Sequence, residues 1–174
     1  PEVGLYGKIN SSEDDSILFK HNIYYNTGVL LFNLKKWRDD NISELLISGI
    51  KTYKKRFRIF DQSIINYLLN DKILRLKVKY NFYTAVHGIS YSTLHKNFNQ
   101  KKVFSESEFI EARNNPVIVH FTGFPFERPW YKKGITPYNS MYRNYIARSP
   151  WAKEELEKLP KNENLILQFY YHFF

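Results

Sequence analysis

Residues 25–38 read YNTGVLLFNLKKWR, and this stretch decides the expected fold. At its centre, Val29–Phe32 is a short apolar run that follows the turn-forming residues Asn26, Thr27 and Gly28. Short apolar runs bounded by turn residues are typical of strands that are buried on both faces. The stretch therefore predicts a buried strand over Val29–Phe32.

More helices and strands are predicted on the C-terminal side of this stretch. Asn41 followed by Glu44 resembles a capping box at the start of one helix, and Asp61 is a suitable N-cap for a second, which is predicted to end near Asn70. Ser105 with Glu108 predicts the cap of a short third helix. Alternating apolar and basic residues predict a strand over Leu74–Tyr80, and an apolar run predicts another over Pro116–Phe121. Strands that alternate with helices indicate an α/β fold, which we expect to form a single domain over residues 1–174.

Composition narrows the classes of function. The chain has 26 Lys and Arg against 17 Asp and Glu, a formal net charge of +9, which attracts anions such as nucleotide phosphates, acidic lipid headgroups or nucleic acid. The absence of cysteine excludes disulfides, thiolate metal clusters and a cysteine nucleophile. No apolar run approaches the length of a spanning helix and no secretory signal is present, so we expect a cytoplasmic protein. No nucleic-acid-binding signature occurs, and nucleic acid is not an expected partner.

Four segments resemble, in the same order, the motifs of the family 8 glycosyltransferases. They are YNTGVLLFNLKKWR at 25–38, FDQSIIN at 60–66, LKVKYN at 76–81, and HFTG with RPW at 120–130. This family is the retaining, nucleotide-sugar-dependent group that includes bacterial lipopolysaccharide galactosyl- and glucosyltransferases and the glycogenins. The resemblance implies a GT-A-like fold with a mixed sheet and flanking helices. It also implies transfer of a hexose from UDP-glucose or UDP-galactose to a glycan acceptor such as lipopolysaccharide core.

The resemblance implies roles for residues in two of these motifs near the phosphates. His120 corresponds to a ligand of Mn²⁺ or Mg²⁺, although a histidine after an apolar strand is also commonly structural. Gly123 would let the backbone approach the diphosphate of the donor, and Arg128 would pair with it through its guanidinium group. An ordinary surface arginine is the alternative for Arg128.

Other motif residues are implied near the sugar. Asn26, with Thr27 and Gly28, corresponds to the position that hydrogen-bonds the donor sugar, although the same residues also suit a plain turn before a strand. Asp61 and Gln62 correspond to the catalytic pair that faces the anomeric carbon, while Asp61 is equally a helix cap. A carboxamide is a weak nucleophile, which favours front-face attack on the sugar.

The chain departs from the family pattern in two ways. Phe124–Glu127 lengthen the segment between Gly123 and Arg128, and arginine replaces the usual lysine. No two aspartates stand two residues apart, so the Asp-x-Asp pair that holds the metal in this family is absent. We therefore expect a C-terminal portion of such an enzyme, either a fragment or the product of a truncated gene. We expect it to be inactive alone, and its partner to be the N-terminal half that carries the Asp-x-Asp pair.

The end of the chain favours a surface role. Residues 161–174 close on aromatic side chains and suit a helix that docks on the protein body or lies at the inner face of a membrane. Peripheral membrane contact is therefore a possible partner interaction. The alternative to an enzyme is a non-catalytic, basic and aromatic module that binds anionic glycan or a membrane surface.

Overall fold

A computed structural model of the chain describes residues 24–53, 60–98 and 103–160. Within these ranges the fold combines short helices with a small parallel sheet, which is compatible with an α/β class. The helices are α1 (Leu34–Asp39), α2 (Ile42–Tyr53), α3 (Phe60–Leu69), α4 (Tyr91–Phe98), α5 (Glu106–Asn114) and α6 (Asn139–Ile146). The strands β1 (Phe82–Tyr83) and β2 (Val119–His120) pair with each other.

The chain divides into two compact units. The described residues of the first unit fall within 24–82 and 89–118, and those of the second within 83–88 and 119–160. The first unit buries Ile64, Val78, Phe82, Leu94 and Phe109. In the second unit, Phe126 and Leu159 are buried against Tyr131 and Ile135. The single-domain organisation over residues 1–174 stays a prediction.

Helices α2 and α3 approach each other closely at a glycine. A Cβ atom on Gly49 would lie 2.5 Å from Leu68 Cδ1 and 2.9 Å from Ile64 Cδ1, so a larger residue here would require these two side chains to shift. Helix α2 begins at Ile42, directly after Asn41, whose φ of +50° is in the left-handed region. Helix α3 begins at Phe60, so the expectation that Asp61 is its N-cap is wrong and Asp61 lies in the first turn.

Helix α5 is tied to the segment that precedes β1. Ser105 caps this helix by accepting a hydrogen bond from the backbone N–H of Glu108, which confirms the predicted cap. The Glu108 carboxylate accepts hydrogen bonds from both terminal nitrogens of Arg75, at 2.6 and 3.0 Å, and from the backbone N–H of Val78 at 2.9 Å. Burial opposes ionisation here, but the bonds from Arg75 and Val78 hold the pKa of Glu108 below its ordinary value.

Three predicted strands are absent or shortened. Val29–Phe32 forms no strand, and Leu31 within it is 85% exposed. The predicted strand over Leu74–Tyr80 is also absent: a 3-10 turn covers Val78–Tyr80, and Leu74 is 90% exposed. The strand predicted over Pro116–Phe121 is reduced to Val119–His120. An apolar run becomes a strand only beside a hydrogen-bonded neighbour, and neither of the first two runs pairs with a strand in the described ranges.

No helix in the described ranges is long and apolar enough to cross a membrane. The helix predicted within residues 161–174 lies outside the described residues and stays a prediction.

Candidate functional site

Three asparagines and one glutamine form a buried hydrogen-bonded group in the first unit, which we call the amide cluster: Asn26, Gln62, Asn66 and Asn81. Asn26 Nδ2 donates to Gln62 Oε1 at 3.0 Å, and Asn81 Nδ2 donates to Asn26 Oδ1 at 2.9 Å. The backbone N–H of Thr27 also donates to Gln62 Oε1, at 3.1 Å. Three of the residues implied near the donor sugar and reacting carbon are thus brought together.

The segment that carries Asn26 is held to helix α3 by Asn66. Asn66 Oδ1 accepts from the backbone N–H of Tyr25 at 2.6 Å, and Asn66 Nδ2 donates to the backbone carbonyl of Tyr25 at 2.7 Å. The side-chain amide therefore pairs with Tyr25 as a neighbouring strand would. Asn66 Nδ2 also donates to the carbonyl of Gln62 at 2.8 Å, which orients the asparagine from its own helix.

Helical spacing separates the two residues implied in catalysis. Gln62 and Asn66 are four residues apart, so they share a face of α3, and that face is buried against the Tyr25–Asn26 segment. Asp61, one residue earlier, is exposed. The structure brings Gln62, Asn26 and Thr27 together, and Gly28 joins them because its N–H donates to Asn26 Oδ1 at 2.8 Å. Asp61 is not part of the amide cluster.

A cavity of about 670 Å³ opens beside Asn26 and Thr27. Its walls are mainly apolar and include Leu30, Leu31 and Leu74, while Lys36 and Lys72 contribute cations. A diphosphate or a sugar needs a dense set of polar partners, and these walls supply few. The cavity therefore has the chemistry of a packing surface beside the amide cluster.

The second unit holds a tight turn at Gly123. Its φ of +91° is in the left-handed region, and a Cβ atom there would lie 2.1 Å from Glu127 Oε2 and 2.9 Å from Ala85 Cβ. Glu127 Oε2 accepts from the backbone N–H of Phe124 at 2.7 Å. Burial raises the pKa of the Glu127 carboxyl above its ordinary value, against the opposing effects of that hydrogen bond and of Arg128.

Arg128 presents a preorganised cation after this turn. One terminal nitrogen donates to the carbonyl of Gly123 at 3.2 Å, and the guanidinium carbon lies 5.6 Å from the ring centroid of Trp130. Its Nε is buried, and within the described part of the chain no hydrogen-bond partner satisfies it. The Gly123 carbonyl and the Trp130 ring fix the guanidinium group, which carries more N–H donors than this one hydrogen bond uses.

His120, at the end of β2, fits the role of one ligand but not a whole metal site. Its ring packs edge-on against Tyr83, with centroids 5.2 Å apart, and burial lowers the pKa of the imidazole, which favours the neutral form that binds metals. No group of three His, Cys, Asp or Glu side chains able to hold a metal ion occurs among the described residues. The described side chains therefore do not by themselves form a divalent-metal site, and no catalytic step is derived through one.

Sequence reasoning missed the residues that support the amide cluster and the Gly123 turn. Asn66 and Asn81 are the last residues of two motif segments, but nothing in the spacing shows that their amides turn back onto residues 25 and 26. Glu127 lies in the inserted segment that lengthens the Gly123–Arg128 spacing, and that insertion was the available signal. It supplies the carboxylate that closes the turn.

A model of the family described as "Glycosyl transferase family 8" matches residues 10–134. The matched range contains the whole amide cluster, His120, Gly123 and Arg128. No solved structure matches the chain.

Named relatives agree with this family. The chain is 28% identical to the lipopolysaccharide 1,2-glucosyltransferase of Escherichia coli over 155 residues, which cover 85% of this chain and 42% of that protein. It is 28% identical to general stress protein A of Bacillus subtilis over 130 residues, 74% of this chain and 42% of that protein. It is 36% identical to glycosyltransferase GlyD of Streptococcus pneumoniae over 115 residues, 62% of this chain and 12% of that protein. The chain thus spans about two fifths of the length of the first two relatives.

Proposed function

The chain belongs to glycosyl transferase family 8, and from this premise we propose that it forms part of a retaining hexosyltransferase. The donor is a nucleotide-sugar, UDP-glucose or UDP-galactose, and the acceptor is a glycan such as lipopolysaccharide core. The observation that carries the proposal is the family match, because it covers every candidate site residue in one range. The name of the Escherichia coli relative supports the glucosyl donor and the lipopolysaccharide acceptor.

Arg128 has the geometry to bind the diphosphate of the donor. The breaking bond leaves a nucleoside diphosphate, on which negative charge concentrates, and a fixed cation stabilises that charge without reorganising. Arg128 is held by the Gly123 carbonyl and the Trp130 ring, and its buried Nε has no partner in the described ranges. The left-handed φ at Gly123 favours glycine, so the same turn carries no Cβ atom there.

Gln62 is better suited to hold the sugar than to attack it. Both hydrogen bonds to its Oε1 come from fixed donors, Asn26 Nδ2 and the Thr27 backbone, so the oxygen lone pairs are directed away from a substrate. This supports front-face transfer, in which the acceptor hydroxyl oxygen bonds to the anomeric carbon as the bond to the diphosphate oxygen breaks. The leaving diphosphate oxygen takes the hydroxyl proton. Asp61, exposed beside Gln62, is proposed to face the sugar.

The metal site is proposed to combine one residue of this chain with residues from outside it. His120 is the metal ligand that we propose for this chain, and the N-terminal half of the enzyme supplies the aspartate pair that completes the site for Mn²⁺ or Mg²⁺. The metal would stabilise charge on the diphosphate. The enzyme acts in the cytoplasm, at the inner face of the membrane where lipid-linked acceptors are found.

The test compares residues 1–174 with the product of the same gene expressed from its own start codon. Both proteins are titrated calorimetrically with manganese and a panel of UDP-sugars, and both are assayed for transfer of a radiolabelled sugar. We expect the gene product to bind and transfer, and the 174-residue chain to bind weakly or not at all and to transfer nothing. Turnover by the 174-residue chain alone would contradict the proposal of a partial enzyme, and a gene product that transfers no sugar would contradict the transferase proposal.

A further inference from the structure

We propose that Asn81 is a positioning residue that fixes the orientation of the Asn26 carboxamide, so that Asn26 and Gln62 present only N–H donors to a substrate. The inference rests on the proposed transferase function for its kinetic consequence, but its structural part stands on the amide cluster alone. It assigns a role to Asn81, a residue that is 0% exposed and lies 55 positions from Asn26 in the sequence.

Two donors converge on one oxygen of Asn26. The backbone N–H of Gly28 donates to Asn26 Oδ1 at 2.8 Å, and Asn81 Nδ2 donates to the same atom at 2.9 Å. A backbone N–H can only donate, so the atom that it contacts is the carbonyl oxygen and the amide orientation is determined. Both acceptor sites of the Asn26 oxygen are then occupied inside the protein.

The orientation of Gln62 is determined in the same way. Its Oε1 accepts from the backbone N–H of Thr27 and from Asn26 Nδ2, so the backbone again identifies the oxygen. Rotation of the Asn26 amide by half a turn would bring two carbonyl oxygens together at Gln62 and leave the Gly28 N–H facing an NH₂ group. Asn81 opposes that rotation because its NH₂ group also needs an oxygen at the same place.

The consequence is a site that offers donors. Among the described residues, the second Nδ2 hydrogen of Asn26 and the Nε2 hydrogens of Gln62 have no acceptor, so these are the groups that remain for a ligand. These pair with an acceptor oxygen, such as a hydroxyl oxygen or the ring oxygen of the transferred sugar. Since Arg128 is the proposed anchor for the diphosphate, misorientation of the two amides should lower kcat more than it raises KM.

The first measurement needs no substitution. Two N–H groups that donate to one oxygen bring their hydrogens within about 4 Å. In the ¹⁵N-labelled 174-residue chain we therefore expect a nuclear Overhauser effect between the Asn81 side-chain amide and the Gly28 backbone amide. Absence of this effect in a chain whose two amides are assigned would overturn the inference, whatever the outcome of the transferase test.

The second measurement separates positioning from stability in the gene product. Asn81→Asp replaces the donor by an acceptor, and Asn81→Leu removes the donor at similar volume. Phe109→Leu lowers stability in the same core at a residue that takes no part in the hydrogen bonds of the amide cluster. We expect Asn81→Asp to reduce kcat at least about tenfold with KM for the UDP-sugar within about threefold, and Asn81→Leu to lose less. Phe109→Leu should keep its kcat per folded molecule and lose activity only as the folded fraction falls.

The alternative of a merely structural role predicts a different pattern. If both Asn81 variants lose activity only in proportion to their loss of folded protein, as Phe109→Leu does, the positioning role is wrong. If Asn81→Asp fails to fold, Asn81→Leu is measured in its place, and an unchanged kcat in that variant overturns the inference. A gene product with no transferase activity before any substitution contradicts the proposed function instead, and the nuclear Overhauser measurement then decides the inference.

Discussion

Substitution of Gly123 by alanine tests the tight turn that precedes Arg128. Two effects act against the new methyl group. The φ of +91° places an L-residue in the left-handed region, which costs about 1–2 kcal/mol. The added Cβ atom would also lie 2.1 Å from Glu127 Oε2, so the carboxylate must move away and give up its 2.7 Å bond from the Phe124 N–H.

The two effects together give the expected magnitude. Loss of a hydrogen bond to a charged group costs about 1–3 kcal/mol, so the free energy of unfolding should fall by about 2–5 kcal/mol in total. For a chain of this length, that corresponds to a decrease in Tm of about 4–20 °C. The measurement is thermal and urea unfolding followed by far- and near-ultraviolet circular dichroism. Coincidence of the transitions seen by these two signals is the check on two-state behaviour.

The chain offers a matched control in the same unit. Gly88 has no atom within 4 Å of the position of an added Cβ atom, so Gly88→Ala should leave stability nearly unchanged. A second control repeats Gly123→Ala in a Glu127→Ala background, where the clash with Glu127 is gone but the approach to Ala85 remains, and the substitution should cost about 1–3 kcal/mol less. Equal stability of Gly123→Ala and Gly88→Ala would refute the reasoning.

Four further outcomes are expected. In the gene product, His120→Ala should lose most transferase activity, and retention within about threefold of wild type would contradict its role as a ligand. Arg128→Ala should weaken calorimetric binding of UDP while leaving Tm nearly unchanged, whereas unaltered affinity would reject the diphosphate anchor. Because burial raises the pKa of folded Glu127, its ionisation destabilises the fold as pH rises, so the Tm of Glu127→Gln relative to wild type should increase as pH rises above the ordinary pKa of glutamate; a constant difference would contradict this. In flotation with anionic liposomes, the full chain should float more than a chain ending at Pro160, and equal flotation would dispose of a membrane-surface role for residues 161–174.

Local signals in the sequence predicted several features correctly. The Ser105 cap, the end of α3 near Asn70 and the presence of α2 each depend on a few neighbouring residues, and local rules describe such features well. The family assignment was confirmed because it rested on motifs in a fixed order, which the family match now covers. The resemblance implied roles near the donor sugar for both Asn26 and Gln62, and the structure joins their side chains by a hydrogen bond; the roles themselves stay predictions.

Long-range features were beyond the sequence. The contacts of Asn81 with Asn26 and of Asn66 with Tyr25 join residues that are 55 and 41 positions apart, and no periodicity reports such a pairing. The Glu127 carboxylate was missed because its partner is a backbone N–H, a group that every residue except proline carries. Asp61 and Gln62 were treated as a pair, but adjacent residues on a helix point in different directions, and only Gln62 joins the amide cluster.

The overturned strand at Val29–Phe32 bears directly on the proposed function. Its composition fits a strand with cover on both faces, yet Leu31 is 85% exposed and thus lacks most of the roughly 1.5–3 kcal/mol that burial of such a side chain contributes. Leu74 on the same cavity is 90% exposed, so the two runs leave one apolar surface open beside Asn26 and Thr27. An N-terminal half that pairs with Val29–Phe32 would cover this surface and bring its aspartate pair towards the amide cluster. Separation from that proposed half would then explain two things: the exposure of the Val29–Phe32 motif and the inactivity that we expect of this chain alone.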